Sequence, residues 1–186
     1  MPDSATPKPR SPGMGSGERM AYAMDRIYNR MRHPAAFNVR RDDAATGSFD
    51  QLRRHKYGLL VTFRGNGDPV PSPVWMALDS EGRAYVQTGA KSWKVKRLRN
   101  DPTVLISAST VRGKPTGPVL LGSARILPAD EMAHAETTLA AAFGLGRKLY
   151  MKIFPMNEDV VAYIEVTPPE VGPCSSARRS TVSQRW

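Results

Sequence analysis

The sequence predicts a closed antiparallel barrel of six β-strands with a few flanking helices. Six short segments are rich in apolar and β-branched residues, and turn residues separate them. The first three segments follow one another with only tight turns between them, and few helical segments interrupt the rest. A doubly wound parallel sheet needs a helix after nearly every strand, so this pattern favours an antiparallel barrel.

The first three strands are predicted over 57–63, 69–78 and 83–88, as a meander. Residues 64–68 and 79–82 are rich in Gly, Asn, Asp and Ser, which accept the backbone angles of a turn. In the third strand Ala84 and Val86 alternate with Tyr85 and Gln87, which is the two-residue period of a strand.

The second half of the predicted barrel contains three more strands, over 104–111, 119–127 and 159–167. A helix over 92–100 precedes them, with Ser92 placed to cap it and Asp101-Pro102 to end it. Two further helices, over 130–143 and 145–154, lie before the last strand and are separated at Gly144.

The positive charge is concentrated in the middle of the chain. The net charge is +10, and residues 51–110 contain ten basic and four acidic residues. The basic segment 91–99 contributes Lys91, Lys94, Lys96, Arg97 and Arg99 and contains no acidic residue. The N-terminus of a helix attracts phosphate through free N–H groups and the helix dipole, so this segment predicts a phosphate site. A solvated, charged helix face is the alternative.

Five motifs follow one another along the chain. They are Leu-Leu-Val-Thr at 59–62, Asn-Gly-Asp-Pro-Val at 66–70, Ser-Pro-Val-Trp at 72–75, Tyr-Val-Gln-Thr at 85–88 and the basic segment with its flanks at 91–102. In this order and spacing they resemble the flavin/deazaflavin split-barrel oxidoreductases, the pyridoxamine-phosphate-oxidase-like superfamily. The match is closest to the subgroup that uses the deazaflavin coenzyme F-420, and it covers roughly residues 49–168.

The resemblance implies a mainly β fold with flanking helices, a six-stranded antiparallel split β-barrel of the FMN-binding type. It also implies a homodimer with the cofactor in a groove at the subunit interface. The phosphate end of the cofactor would then contact Thr88, Lys91, Ser92, Lys94 and Arg97. The ring system would lie along the backbone of Ser72, Pro73, Val74 and Trp75. A core position is the alternative for Trp75 and for Trp93.

The function implied is hydride transfer between reduced coenzyme F-420 and an unsaturated small-molecule substrate, with FMN as the alternative cofactor. The acidic oligoglutamate tail of the deazaflavin would find cationic partners among Arg112, Lys114, Arg147 and Lys148. A cofactor carrier without catalysis is the second hypothesis. A nucleic-acid binder that uses the 91–99 cations with Trp93 and Tyr57 is the third, and no nucleic-acid motif accompanies those cations.

No catalytic acid, base or nucleophile is predicted, because the three histidines are scattered and no Ser lies in a nucleophile-elbow pattern. Cys174 is the sole cysteine, which excludes an internal disulfide and metal sites built on cysteine pairs. With no apolar run of signal-peptide or membrane-spanning length, the chain is predicted to be cytoplasmic.

The domain organisation is predicted as one barrel domain over 49–170 between less regular ends. Residues 1–17 and 171–186 are rich in Pro, Gly or Ser and predict flexible tails. Residues 18–48 contain an amphipathic helix over 18–32 and a linker. We expect that helix to pack on protein, and contact with a membrane surface is the alternative.

Overall fold

The computed structural model describes residues 32–144 and 161–169. Within these ranges six antiparallel strands close into a barrel in the order β1-β2-β3-β6-β5-β4, with two α-helices against it. The strands are β1 (Tyr57–Phe63), β2 (Pro69–Leu78), β3 (Ala84–Gly89), β4 (Thr103–Ala108), β5 (Leu120–Ile126) and β6 (Val161–Thr167). The helices are α1 (Trp93–Asn100) and α2 (Met132–Phe143). The predicted six-stranded antiparallel barrel is confirmed.

The meander β1-β2-β3 forms as predicted. Tyr57 to Phe63 pair with Trp75 to Pro69, and Met76 to Leu78 pair with Val86 to Ala84. Gly67 and Gly82 have φ values of 84° and 82°, which explains glycine at these two turn positions. The barrel closes because β1 also pairs with β4, from Gly58 opposite Ala108 to Val61 opposite Leu105.

The barrel interior is filled by alternate residues of each strand, as the two-residue period requires. Its buried core contains Leu60, Val74, Met76, Ala84, Val86, Val104, Ile106, Leu120, Ala124, Ile164 and Val166. Phe49, Leu52 and Leu98 join this core from outside the strands. The apolar alternation in the sequence therefore defines the inner face.

Two other segments cover the outer face of the barrel. Helix α2 buries Ala135 and Leu139 in a cluster with Tyr85 and Tyr163. The 3-10 helix Pro34–Asn38 and the residues after it bury Ala36 and Val39 against the outer face of β1 and β4. Burial therefore starts before Phe49, where the sequence pattern placed the beginning of the core.

The structure differs from the sequence predictions at element ends. Strand β4 stops at Ala108 rather than 111, because Thr110 to Lys114 form a turn in which Gly113 has a φ of 80°. Ser92 occupies the N-cap position of α1, but its side chain makes no capping hydrogen bond. Helix α2 is preceded by a 3-10 helix, Ala129–Glu131, and so begins two residues later than predicted.

Several predicted segments lie outside the described residues. They are the tails 1–17 and 171–186, the helix over 145–154 and the helix over 18–32 except for Arg32, which is not helical. The predicted domain boundaries stay predictions. No helix among the described residues is long and apolar enough to cross a membrane.

Candidate functional site

Helix α1 lies across one end of the barrel, where its amphipathic pattern fixes two of its cations. Val95 and Leu98 are 1% and 5% exposed, and Leu98 belongs to the barrel core. Lys94 and Arg97 flank this buried face and are half-buried. The Arg97 Nε donates a hydrogen bond of 2.8 Å to Oγ1 of Thr62, a buried residue of β1. The guanidinium is therefore held beside the barrel end.

A cleft of about 630 Å³ opens between α1 and β2, and we call it the α1 cleft. Four of the nine predicted site residues line it: Ser72 from β2, and Ser92, Lys94 and Arg97 from the start of α1. Five cationic side chains line the α1 cleft, namely Arg32, Arg64, Lys94, Lys96 and Arg97. No carboxylate lies among its described lining residues, so the cleft suits an anion.

Thr88 and Lys91 lie next to this cleft in different ways. Lys94 Nζ donates to Thr88 Oγ1 at 3.0 Å, and Thr88 Oγ1 is 3.3 Å from Ser92 Oγ. Thr88, Ser92 and Lys94 thus form one polar cluster at the end of β3. Lys91 is exposed and is not among the described residues that line the cleft.

The other three predicted residues of β2 lie in three different environments. Val74 is 7% exposed and packs in the barrel core. Trp75 stacks on Phe143 of α2, with ring centroids 4.9 Å apart and planes at 19°. Pro73 lies under Gly113, where an added Cβ would meet Pro73 Cγ at 2.8 Å. Of the predicted ring-binding segment, only Ser72 lines the α1 cleft, together with the preceding Pro71.

A second cavity, of about 610 Å³, adjoins the α1 cleft. The two share Arg64, Gly65, Pro69, Arg97 and Asn100. Arg40 and Arg41 line the far side of the second cavity, together with Asp42 and Asp101. Arg41 lies 4.2 Å over the Phe63 ring and 3.4 Å from Asp101 Oδ2. A groove that bears cations along its length therefore continues beyond the α1 cleft.

Sequence reasoning missed Arg32, Phe37 and Arg64 of the α1 cleft. Arg64 was assigned to a hairpin turn and Arg32 to an amphipathic helix. Their meeting depends on the turn after β1 and on the 3-10 helix at Pro34–Asn38 lying near the same end of the barrel. The excess of positive charge in 51–110 was the one signal of such a cluster.

A different polar cluster lies on the outer face of β3 and β6, and we call it the Tyr85 cluster. The Tyr85 hydroxyl is 3.2 Å from Asp79 Oδ2 and 3.0 Å from Glu165 Oε2. Arg83 Nε donates to Asp79 Oδ2 at 2.8 Å, and Arg125 Nε donates to Glu165 Oε1 at 2.6 Å. The two carboxylates, 6% and 5% exposed as residues, are thus paired with cations.

Burial and hydrogen bonding set the protonation of the Tyr85 cluster. Burial raises the pKa of Tyr85 well above its usual value, and the hydrogen bond to Glu165 raises it further. Burial alone would raise the pKa of Asp79, but hydrogen bonds from the side chain and backbone of Arg83, with the charge of Arg83, lower it overall. At neutral pH Tyr85 therefore keeps its proton and Asp79 is ionised.

Comparisons with known proteins find similarity at the level of structure. No protein-family model matches the chain, and no curated protein does. A conserved hypothetical protein from Mycobacterium tuberculosis is similar with a TM-score of 0.50 and 19% identity, over 70% of this chain and 86% of that one.

Two further solved structures are similar with lower scores. A putative pyridoxamine 5'-phosphate oxidase from Listeria innocua has a TM-score of 0.45 and 15% identity, over 63% of this chain and 86% of that one. A protein described as F-420 reductase has a TM-score of 0.43 and 21% identity, over 67% and 95%. At 19% identity the structure from Mycobacterium tuberculosis supports the fold and leaves the ligand open.

The fold is a six-stranded antiparallel split barrel, as the motif resemblance implies, and the superfamily itself stays a prediction. Its candidate site is the α1 cleft, where cations from α1 and from the turn after β1 face β2.

Proposed function

We propose that the protein binds coenzyme F-420 in the α1 cleft and takes part in hydride transfer to an unsaturated small molecule. One observation carries this proposal: Ser72 of β2 and the Ser92, Lys94 and Arg97 group of α1 line the same cleft, and no acidic residue is among its described lining residues. The cleft volume of about 630 Å³ is within the range of small-molecule and cofactor sites.

The residues of the α1 cleft suit a phosphate-bearing cofactor. Lys94 and Arg97 supply the charge, and Ser92 supplies a hydroxyl group at the start of α1, where Thr88 of β3 contacts both Ser92 and Lys94. The β2 backbone around Ser72 is paired with β1 but not with β3, so its other edge would supply hydrogen-bonding groups for the edge of a ring. A deazaflavin supplies the two-electron hydride chemistry itself, so the protein has to bind, orient and exclude water.

The second cavity favours coenzyme F-420 over FMN as the cofactor. The deazaflavin carries an acidic oligoglutamate tail, which FMN lacks. Arg40, Arg41 and Arg64 line the cavity that continues from the phosphate-binding end, and with Arg97 they outnumber the two carboxylates among its described lining residues, those of Asp42 and Asp101. This assignment replaces the sequence-based one to Arg112 and Lys114, which line neither of the two cavities, and to Arg147 and Lys148, which lie outside the described residues.

We propose a cytoplasmic homodimer in which a second copy covers part of the cofactor. Light scattering of the cofactor-loaded protein is expected to give twice the chain mass of 20.5 kDa. A mass of one chain, unchanged over a hundredfold range of concentration, would remove the dimer from the proposal and leave the α1 cleft as a complete site.

Binding and turnover test the function separately. Equilibrium dialysis against coenzyme F-420 and FMN is expected to give tighter binding of the deazaflavin. The reduced, loaded protein is then mixed with enones, quinones and nitro compounds, and oxidation of the cofactor is followed by absorbance. Tight binding with no oxidation by any acceptor would favour a carrier, and tighter binding of FMN would favour the flavin alternative.

A nucleic-acid binder would use the same cations. Retention on single-stranded DNA that falls steeply with salt, with neither cofactor bound, would support that alternative and contradict the proposed function.

A further inference from the structure

The α1 cleft has an aromatic wall that its phosphate chemistry does not use. Four large hydrophobic side chains are exposed in the described part of the chain: Phe37, Tyr57, Trp93 and Val111. Two of them, Phe37 at 48% and Trp93 at 62% exposed, line the α1 cleft, and the other two do not. Of these exposed aromatic side chains, Phe37 and Trp93 therefore lie at the cationic cleft, and Tyr57 lies outside it.

Trp93 is the first residue of α1 and lies off its buried face, which Val95 and Leu98 occupy. The Nζ of Lys96 is 5.1 Å from the Trp93 ring centroid, within the range of a cation–π contact. The Trp93 ring is thus in contact with the Lys96 ammonium group, and the adjacent Lys94 lines the same cleft. An indole in these surroundings is suited to a flat group attached to an anion.

Phe37 lines the cleft from a different element than Trp93 does. It belongs to the 3-10 helix Pro34–Asn38, which packs against β2, and the cleft residues Pro71 and Ser72 are part of that strand. Its backbone is fixed, because the His33 ring accepts a hydrogen bond from Ala35 N and the neighbouring Ala36 is 1% exposed. Phe37 is therefore an aromatic group held near the β2 side of the cleft.

We propose that Phe37 and Trp93 bind a flat, unsaturated ring by stacking, while Lys94 and Arg97 bind the anionic group attached to that ring. This deepens the proposed function and rests on it for the identity of the ring, which would be that of the cofactor. The chemical class is wider: an aromatic or conjugated ring that carries a phosphate. Stacking on an aromatic side chain accepts many rings, since any such ring has a π face.

The test separates the ring from the phosphate by using four probes. They are coenzyme F-420, FMN, 1-naphthyl phosphate and inorganic phosphate. The chain has three tryptophans, so labelling with 5-fluorotryptophan gives few ¹⁹F resonances, and Trp93→Phe assigns the one from Trp93. We expect that resonance to move on saturation with ring-bearing probes and to move little with inorganic phosphate.

Substitutions then separate the contribution of the ring to binding from that of the phosphate. Trp93→Ala and Phe37→Ala are each expected to weaken the ring-bearing probes about tenfold and to leave inorganic phosphate unchanged. Trp93→Phe should retain most of the affinity. Lys94→Ala with Arg97→Ala should weaken all four probes. Val111→Ala, which removes an apolar group 61% exposed outside the cleft, is the matched control and should change none.

Each outcome distinguishes the inference from the proposed function. Cofactor binding that is unaffected by Trp93→Ala and Phe37→Ala would overturn the inference and leave the proposed function standing. Binding of 1-naphthyl phosphate with a shifted Trp93 resonance, but of neither cofactor, would support the inference and contradict the proposed function. A Trp93 resonance that follows protein concentration instead of ligand, or no binding of any ring-bearing probe, would overturn the inference.

Discussion

The α1 cleft and the Tyr85 cluster are both polar, and they differ in how their charges are matched. In the Tyr85 cluster Asp79 pairs with Arg83, and Glu165 pairs with Arg125. In the α1 cleft five cations meet and no carboxylate lies among the described lining residues. A matched pair becomes costly when one partner is removed, whereas an excess of one sign is relieved by binding a ligand of the other sign.

A large effect is expected on stability, in the Tyr85 cluster. Glu165→Ala removes a buried hydrogen-bond partner from Arg125 and from the Tyr85 hydroxyl, which keep Glu131 and Asp79, so we expect the free energy of unfolding to fall by about 2–4 kcal/mol. Urea denaturation measures it. Glu131→Ala is the control, because that carboxylate also pairs with Arg125 but is 44% exposed, and a much smaller loss is expected. Equal losses would contradict the distinction between buried and exposed pairs.

The next effect is on binding, in the α1 cleft. Lys94→Ala with Arg97→Ala is expected to weaken cofactor binding by about 2–5 kcal/mol, because charge-assisted hydrogen bonds to phosphate are lost. Titration of cofactor fluorescence measures this loss. Arg99→Ala is the control, since Arg99 is exposed on α1 and is not among the described residues that line the cleft. An unchanged titration curve for the double variant would refute the site.

A smaller effect separates two phenylalanines that have different surroundings. Phe143 stacks on Trp75, so Phe143→Ala should lower the free energy of unfolding by about 1 kcal/mol with little change in cofactor affinity. Phe37→Ala should do the reverse, because Phe37 is 48% exposed at the cleft. Thermal unfolding and cofactor titration of both variants make the comparison. A stability loss for Phe37→Ala alone would contradict it.

The smallest expected effect is on how the free energy of unfolding changes at acid pH. Folding lowers the pKa of Asp79. The ionised carboxylate therefore adds to the free energy of unfolding above the unfolded pKa of 3.8, and this contribution is lost as the pH falls below that value. Stability measured between pH 5 and pH 2 should therefore fall less steeply in Asp79→Asn than in the unchanged protein. Parallel profiles would show that Asp79 is not held as an ion pair.

The strands were predictable because each has a local signal. Alternation in 84–87 separates Ala84 and Val86, which pack in the barrel, from Tyr85, which packs outside it. The turns at 64–68 and 79–82 contain residues that tolerate the required angles. Such signals depend on neighbours along the chain, and so one sequence is enough to read them.

The Tyr85 cluster was not predictable, because it joins residues far apart along the chain. Tyr85 and Glu165 are 80 residues apart and become partners only when β3 pairs with β6. The sequence predicts Asp79 as part of a turn, which is confirmed, but it does not indicate that the carboxylate also binds Arg83 and Tyr85. For the α1 cleft the sequence indicated Ser92, Lys94 and Arg97, but Arg64 and Phe37 depend on how separate segments meet at the barrel end.

The pairing of β1 with β4 has a consequence for how this protein can meet others. It gives each of the six described strands a paired neighbour on both sides, but β2 pairs with β3 only at residues 76–78, so the segment 69–75 is paired with β1 alone. Pro69, Pro71 and Pro73 have no N–H to donate, so this short edge is poorly suited to the addition of another strand. Contact with another chain would then depend on side chains and connecting segments, so that single surface substitutions can strengthen or abolish it without disturbing the barrel.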